Sequence, residues 1–401
     1  MALIAVSAAI AVISAILVEY NYDTDIDYAA AAIARDEMRA HYLAVSAMNL
    51  SRLVIKVQHD VLDRFRKFIG DVQLADYLPL MIGAFGGGKD EVENLANTIG
   101  GIDTANIKGL GLPAGQFDVQ VTTDDGKINV NCANGSANSQ KQLELMLAAL
   151  VQPISYNPLF EEKDADGQIT DRPTFVSGII DFVDRDAAKY AAGGNPEDYG
   201  YETLPDGYKS RDNYLDSIDE LRLVRGMDDR KWDAFGSAFT VYGGCKVNLG
   251  AANDLGVIAA LLYQAAKDPN DPVLRDPMKL WALAARIAQA RMYGVMFADA
   301  ASFVDFVKNP DAALADLVAS AGGPAGAVTG LLAPVEGLEL DPAKVGQVAR
   351  AGGRRTYRVV ATAKIGKVDK TITGIWDTDT QNQNARDPAY AKGTWVYWRE
   401  E

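Results

Sequence analysis

"MALIAVSAAIAVISAILVEYNYD", Met1–Asp23, decides how the rest of the chain is read. From Met1 to Val18 it carries no charge and nothing more polar than Ser7 and Ser14, and no basic residue precedes it. A secretory signal has a positive front, an apolar stretch of about 7–15 residues and a small-residue cleavage site. This run is longer and lacks the basic front. A membrane-spanning helix needs about 20 apolar residues, with roughly 17 tolerated, and Met1–Val18 reaches that length. The acidic residues that follow, Glu19, Asp23, Asp25 and Asp27, suit the outer side of a membrane, since Lys and Arg collect on the cytoplasmic side. The expectation is a single-pass anchor with its N-terminus inside; a trimmed or uncleaved signal peptide is the alternative.

The helix is not expected to stop at the membrane. The first glycine is Gly70 and the first proline Pro79, where average usage of about 12% for the two together would place roughly eight in the first 69 residues. An apolar series, Leu50, Leu53, Val54, Val57, Val61, Phe65 and Phe68, continues at steps of three and four with one adjacent pair, as a helix requires. At 1.5 Å per residue such a helix is on the order of 100 Å long. Its first third fits a membrane and its last third a domain surface.

The 401 residues leave room for two or three domains. A formal net charge of −15 argues against nucleic acid or an anionic lipid surface as partner, and leaves calcium open. With only Cys132, Cys245, His41 and His59, a Cys/His zinc site would have to gather ligands scattered along the chain. An even pair of cysteines outside a membrane is most simply a disulfide.

Residues 70–115 are glycine-rich and read as loop around a short helix at Glu91–Ile99. "FDVQVTTDDGKINVN" (117–131) alternates polar and apolar residues on either side of an Asp-Gly turn, which predicts a hairpin or strand pair. A helix over Gln140–Val151 opens a helical region with acidic loops. Strand character returns at "TVYGGCKVNL" (240–249), helices at Leu255–Ala266 and Met278–Met296, and "TYRVVATAKIGKVDKTITGIWD" with "GTWVYWREE" reads as a terminal antiparallel meander. The expected organisation is an anchor over 1–22, helix, loop and first strands over 23–132, an inserted acidic helical domain over 133–240, and a return strand, further helices and C-terminal strands over 241–401.

Taken in order, the ALIAV start, "DDGKINVN" (124–131), "IIDFVDRD" (179–186), "GGNPEDYGYE" (193–202), "DSIDELRLVRGM" (216–227), "CKVNLGAANDLGVIAAL" (245–261) and "YRVVATAKIG" (357–366) resemble the K-type minor pseudopilin of type II secretion systems, the GspK family. The resemblance runs nearly end to end. It implies an α+β, pilin-like fold: a long N-terminal helix packed on an antiparallel sheet, with a large helical domain inserted between strands. It implies a structural subunit at the tip of the secretion pseudopilus, initiating assembly and supporting export of folded proteins. The partners would be I- and J-type minor pseudopilins and the major pseudopilin, with secreted substrate or the outer-membrane secretin beyond. The location would be the inner membrane, with the main domain in the periplasm. Family precursors carry a short basic leader ending in glycine, so Met1 is expected to be the processed N-terminus. Most pilins have a Glu at mature position 5 that meets a neighbour's amine; Ala5 stands there, which suits a subunit with no partner above it, because a lone carboxylate at bilayer depth is costly. The runner-up is a minor pilin of a type IV pilus, acting as assembly primer or adhesin, and a third reading is a membrane-anchored hydrolase using calcium.

Carboxylates crowd the central region. "DADGQIT" (164–170) imitates the start of an EF-hand loop but lacks its twelfth-position Glu. GspK-like proteins bind calcium in the insertion, so the resemblance points to Asp184, Asp186, Glu197, Asp198 and Asn213 as ligands, against a solvated acidic loop. Cys132 follows "INVN" and Cys245 precedes "KVNL", so adjacent strands there would let the two sulfurs meet. "GAFGGGKD" (83–90) reproduces seven positions of a phosphate loop, but Asp90 replaces the magnesium-binding hydroxyl. "VNLGAANDLGVIAALL" passes for half of a helix-hairpin-helix without the basic residues that phosphates demand. No nucleophile sits in a recognisable elbow, and the expectation is a protein without enzymatic activity.

Overall fold

Without a glycine or proline to interrupt it, the chain from Ala2 to Val57 is one α-helix, α1, followed by a π-helical turn at Gln58–Leu62. The computed structural model describes residues 2–62, 74, 115–163, 167, 169–186, 188–190, 201, 207–292, 295, 297–320, 333–381 and 392–401. The glycine-rich segment with Gly83–Asp90 and Glu91–Ile99 lies outside the described residues, as do Phe65 and Phe68.

Two compact units make up the chain: Met1–Arg64, Val72–Thr122 and Arg358–Glu401 form one, Phe65–Asp71 and Thr123–Tyr357 the other. The helices at Leu255–Ala265 and beyond thus belong with the inserted unit, whereas the sequence reading groups 241–401 together. The described strands are β1 (Gly115–Thr122), β2 (Ile128–Asn129), β3 (Phe239–Thr240), β4 (Val247–Asn248), β5 (Ala349–Arg350), β6 (Thr356–Ile365), β7 (Val368–Gln381) and β8 (Lys392–Glu400).

In the first unit, β1, β6, β7 and β8 form a sheet in that order. β1 runs antiparallel to β6, from Gly115 opposite Ile365 to Thr122 opposite Arg358. The hairpin or strand pair expected on either side of the Asp125–Gly126 turn is therefore corrected: the strand beyond the turn, β2, pairs in parallel with β3 and not with β1. An Asp-Gly turn reverses a chain locally but does not choose its partner. α1 packs on β7 and β1 through Ala40, Leu43, Ala44, Ala47, Met48, Ser51, Val54 and Ile55. This replaces part of the stripe expected from the large residues, since Leu53 and Val57 are exposed. Small side chains let the helix approach the strands closely. At Gly374 a Cβ would stand 2.6 Å from Met48 Cε.

Nearer its start α1 is bare. Leu3, Ile4, Val6, Ile10, Val12, Ile13, Ile16, Leu17 and Val18 are all exposed, and an 18-residue window there has mean hydropathy 2.4 with none of it buried. By length and composition this segment fits a single-pass anchor.

The inserted unit has its own core. Helices α2 (Ala137–Leu150), α3 (Arg172–Val183), α4 (Leu255–Ala265), α5 (Pro277–Met292), α6 (Ala300–Lys308) and α7 (Pro342–Val348) bury Leu143, Leu147, Ile179, Ile180, Leu261, Leu262, Leu283 and Val348 in one cluster. Every one of these is 2% exposed or less. Cys132, in the 3-10 turn Val130–Asn134, and Cys245, just before β4, are joined as a disulfide with Cα atoms 5.6 Å apart.

Candidate metal centre

The acidic loop grows out of the C-terminus of α3. Asp171 caps the start of that helix by accepting from Thr174 N at 2.8 Å. Its apolar side, Phe175, Val176, Ile179, Ile180 and Val183, is buried, so α3 is pinned in the core and sets where its last turn projects. Asp184 follows as the C-cap, its N–H donating to Ile180 O at 2.9 Å. It is 4% exposed. Burying a charge is costly unless it is paired, and Asp184 is only half answered. Oδ2 accepts from Gln140 Nε2 at 2.8 Å, while Oδ1 is buried with no hydrogen-bond partner among the described residues.

Other carboxylates gather round it. Asp181, one turn earlier, accepts from Tyr190 N at 2.6 Å, and Asp186 accepts from Ala188 N at 2.9 Å. Segment 211–213 is drawn to the helix end by Arg211 N and Asp212 N, which donate to Phe182 O at 3.1 and 3.3 Å. Asp212 sits in the left-handed region at φ 48°, which short polar side chains tolerate best. Burial pushes the Asp184 carboxyl up to about 7, with Asp186, Asp181 and Asp212 adding repulsion. Asp181 is raised as well, chiefly by burial.

Of the residues proposed from the sequence, Asp184 and Asp186 are both described, the first buried and the second exposed two residues on. Asn213 is adjacent but exposed, and its Oδ1 accepts from Tyr214 N at 2.9 Å. Glu197 and Asp198 lie outside the described residues, as do Asp164 and Asp166 of the EF-hand-like stretch. The sequence reading missed Asn134, in the turn after Cys132, whose Nδ2 donates to Val183 O and whose Oδ1 is buried without a partner among the described residues. Nothing in an isolated Asn fifty residues upstream signals that contact.

Among the described residues no three His, Cys, Asp or Glu side chains stand together as a metal-holding group. What they do supply is oxygen only, with surplus negative charge and one buried, unanswered carboxylate oxygen. That donor chemistry fits a hard dication that takes carboxylate and carbonyl oxygens. The cysteines, both in the disulfide, offer no thiolate. The helix-hairpin-helix-like loop is closed from within: Arg291 donates to Gly250 O, Ala252 O and Asn253 Oδ1.

Residues 126–243 match the family model for the type II secretion system (T2SS), protein K. Asn134, Asp181, Asp184, Asp186 and Asp212 all fall in that span. No curated protein matches the chain. Among solved structures it is similar to a chain in the crystal structure of the GspK-GspI-GspJ complex from the enterotoxigenic Escherichia coli type 2 secretion system, at 13% identity, 86% coverage of this chain, 99% of that one and a TM-score of 0.44. Over residues 126–243, then, the chain is similar to protein K of type II secretion systems.

Proposed function

We propose that the protein is a tip subunit of the type II secretion pseudopilus, initiating its assembly with I- and J-type minor pseudopilins and supporting export of folded proteins across the outer membrane. The protein K match on the unit inserted between β1 and β6 carries this reading. The exposed apolar start of α1 supports a membrane-held subunit with its N-terminus inside and both units in the periplasm. Its role is structural rather than enzymatic, with the major pseudopilin below it and the secretin or cargo as further contacts. Pull-down of the full chain from membranes tests this. Recovery of the I- and J-type subunits is expected; recovery of pilus shafts without them would favour a type IV minor pilin instead.

The acidic loop is proposed to hold calcium. Asp184 and Asp186 would bind it, with Glu197, Asp198 and Asn213 as further oxygen donors. When bound, the ion would neutralise the Asp184 carboxylate and fasten the loop to the end of α3. Calorimetric titration of the full chain with calcium checks it; no heat of binding would leave a solvated loop.

A further inference from the structure

The side-chain amide of Asn134 has a donor end and an acceptor end, and the structure fixes which faces where. Nδ2 donates to Val183 O, the carbonyl immediately before Asp184. Flipping the amide would set two acceptor oxygens against each other, so Oδ1 must occupy the opposite end. There it is buried and has no hydrogen-bond partner among the described residues. Asp184 Oδ1 is in the same condition. Two buried acceptors without donors, one on Asn134 and one on the residue that follows its hydrogen-bond partner Val183, leave a double desolvation cost uncompensated.

A group that accepts no hydrogen bond and attracts oxygen would answer both. The electrostatics decide between water and a cation. Asp181 and Asp186 flank buried Asp184 in the chain, and the hydrogen bonds of Arg211 N and Asp212 N to Phe182 O bring Asp212 to the same helix end; a water molecule supplies protons to acceptors but no charge to set against those carboxylates. Calcium accepts neutral amide oxygens beside carboxylates. We propose that Asn134 Oδ1 is a ligand of the calcium held by Asp184. This rests on the calcium reading above and extends it. The shell is closed from outside the acidic loop, by the turn Val130–Asn134 that the disulfide at Cys132 holds.

Calcium titration by calorimetry of the full chain in detergent tests this with three proteins. The parent binds; Asn134→Ala binds roughly 10-fold or more weakly; Asn134→Asp, which keeps the oxygen and loses the donor to Val183, binds as well as the parent or better. Circular dichroism checks that all three are folded. Equal affinity of parent and Asn134→Ala overturns the proposal. Equal weakening by Ala and Asp also overturns it, because Asn134 would then act only through Val183. A parent that binds no calcium overturns the calcium reading itself, an outcome distinct from the other two.

Discussion

Asp125 and Asp184 are buried alike, at 5% and 4% exposure, and answered very differently. Asp125 Oδ2 accepts from Arg350 at 2.8 Å and from Arg355 N, while Oδ1 accepts from Thr356 N at 3.1 Å and from Thr356 Oγ1. The next residue must be glycine, because a Cβ on Gly126 would stand 2.1 Å from Ala251 O. Asp125 thereby ties the turn after β1 to the start of β6. Removing one member of a buried, hydrogen-bonded ion pair costs about 3–5 kcal/mol, so Asp125→Ala should lower the urea midpoint sharply with or without calcium. Asp184 forms no salt bridge among the described residues, and its only side-chain partner is the neutral Gln140 amide. In chelator, Asp184→Asn should be neutral or stabilising, since it removes a buried charge and keeps the shape. Calcium at a hundredfold excess over its dissociation constant should stabilise the parent by about 2.7 kcal/mol and leave Asp184→Asn unmoved. Melting temperatures of both variants in calcium and in chelator separate the two roles; an equal calcium shift in parent and Asp184→Asn would remove Asp184 from the site.

At the scale of elements, α3 is the part that presents the acidic loop, and its start depends on Asp171. The side chain of Thr174, and then its backbone N–H, hold the Asp171 carboxyl below its ordinary value. A depressed carboxyl stabilises the fold fully above its unfolded pKa, and that contribution disappears as pH falls through the lower folded value. Asp171→Ala should therefore cost about 1 kcal/mol at neutral pH, the usual loss for such a cap. The gap to the parent should close below about pH 4, as urea melts at a series of pH values will show. Local signals of this kind were legible. The absence of Gly and Pro announces α1, and alternation announces β6 and β7. Pairing across the chain was not legible, because β1 meets β6 some 240 residues later and an Asp-Gly turn looks the same whether or not the strands beside it pair. The same holds at the site: Asn134 reaches Val183 only through the tertiary fold. Leu53 and Val57 fit the helical spacing yet are exposed, because a close approach of helix to strands selects small side chains such as Ala40, Ala44 and Ala47 and not large ones.

For the whole molecule, the question is whether the inserted unit depends on its covalent closure. Cys132 and Cys245 lie 113 residues apart, and closing a loop of that length removes unfolded-chain entropy worth roughly 4–5 kcal/mol in the chain-entropy model. Both cysteines lie in the unit Thr123–Tyr357; the other unit buries its own set, including Leu43, Ala44, Val359, Ala361 and Ile375, in a sheet and helix that contain no disulfide. Cooperative regions can open separately, each with its own free energy. Changing both cysteines to serine should then lower protection against hydrogen exchange in peptides from α2, α3 and α4. Peptides from the buried side of α1 and from β6 and β7 should exchange as in the parent. Peptide-resolved exchange of the full chain, with and without the pair, measures both at once. If protection in α1 and β7 falls by as much as in α2 and α4, the two units unfold as one, and the disulfide stabilises both units rather than the insertion alone.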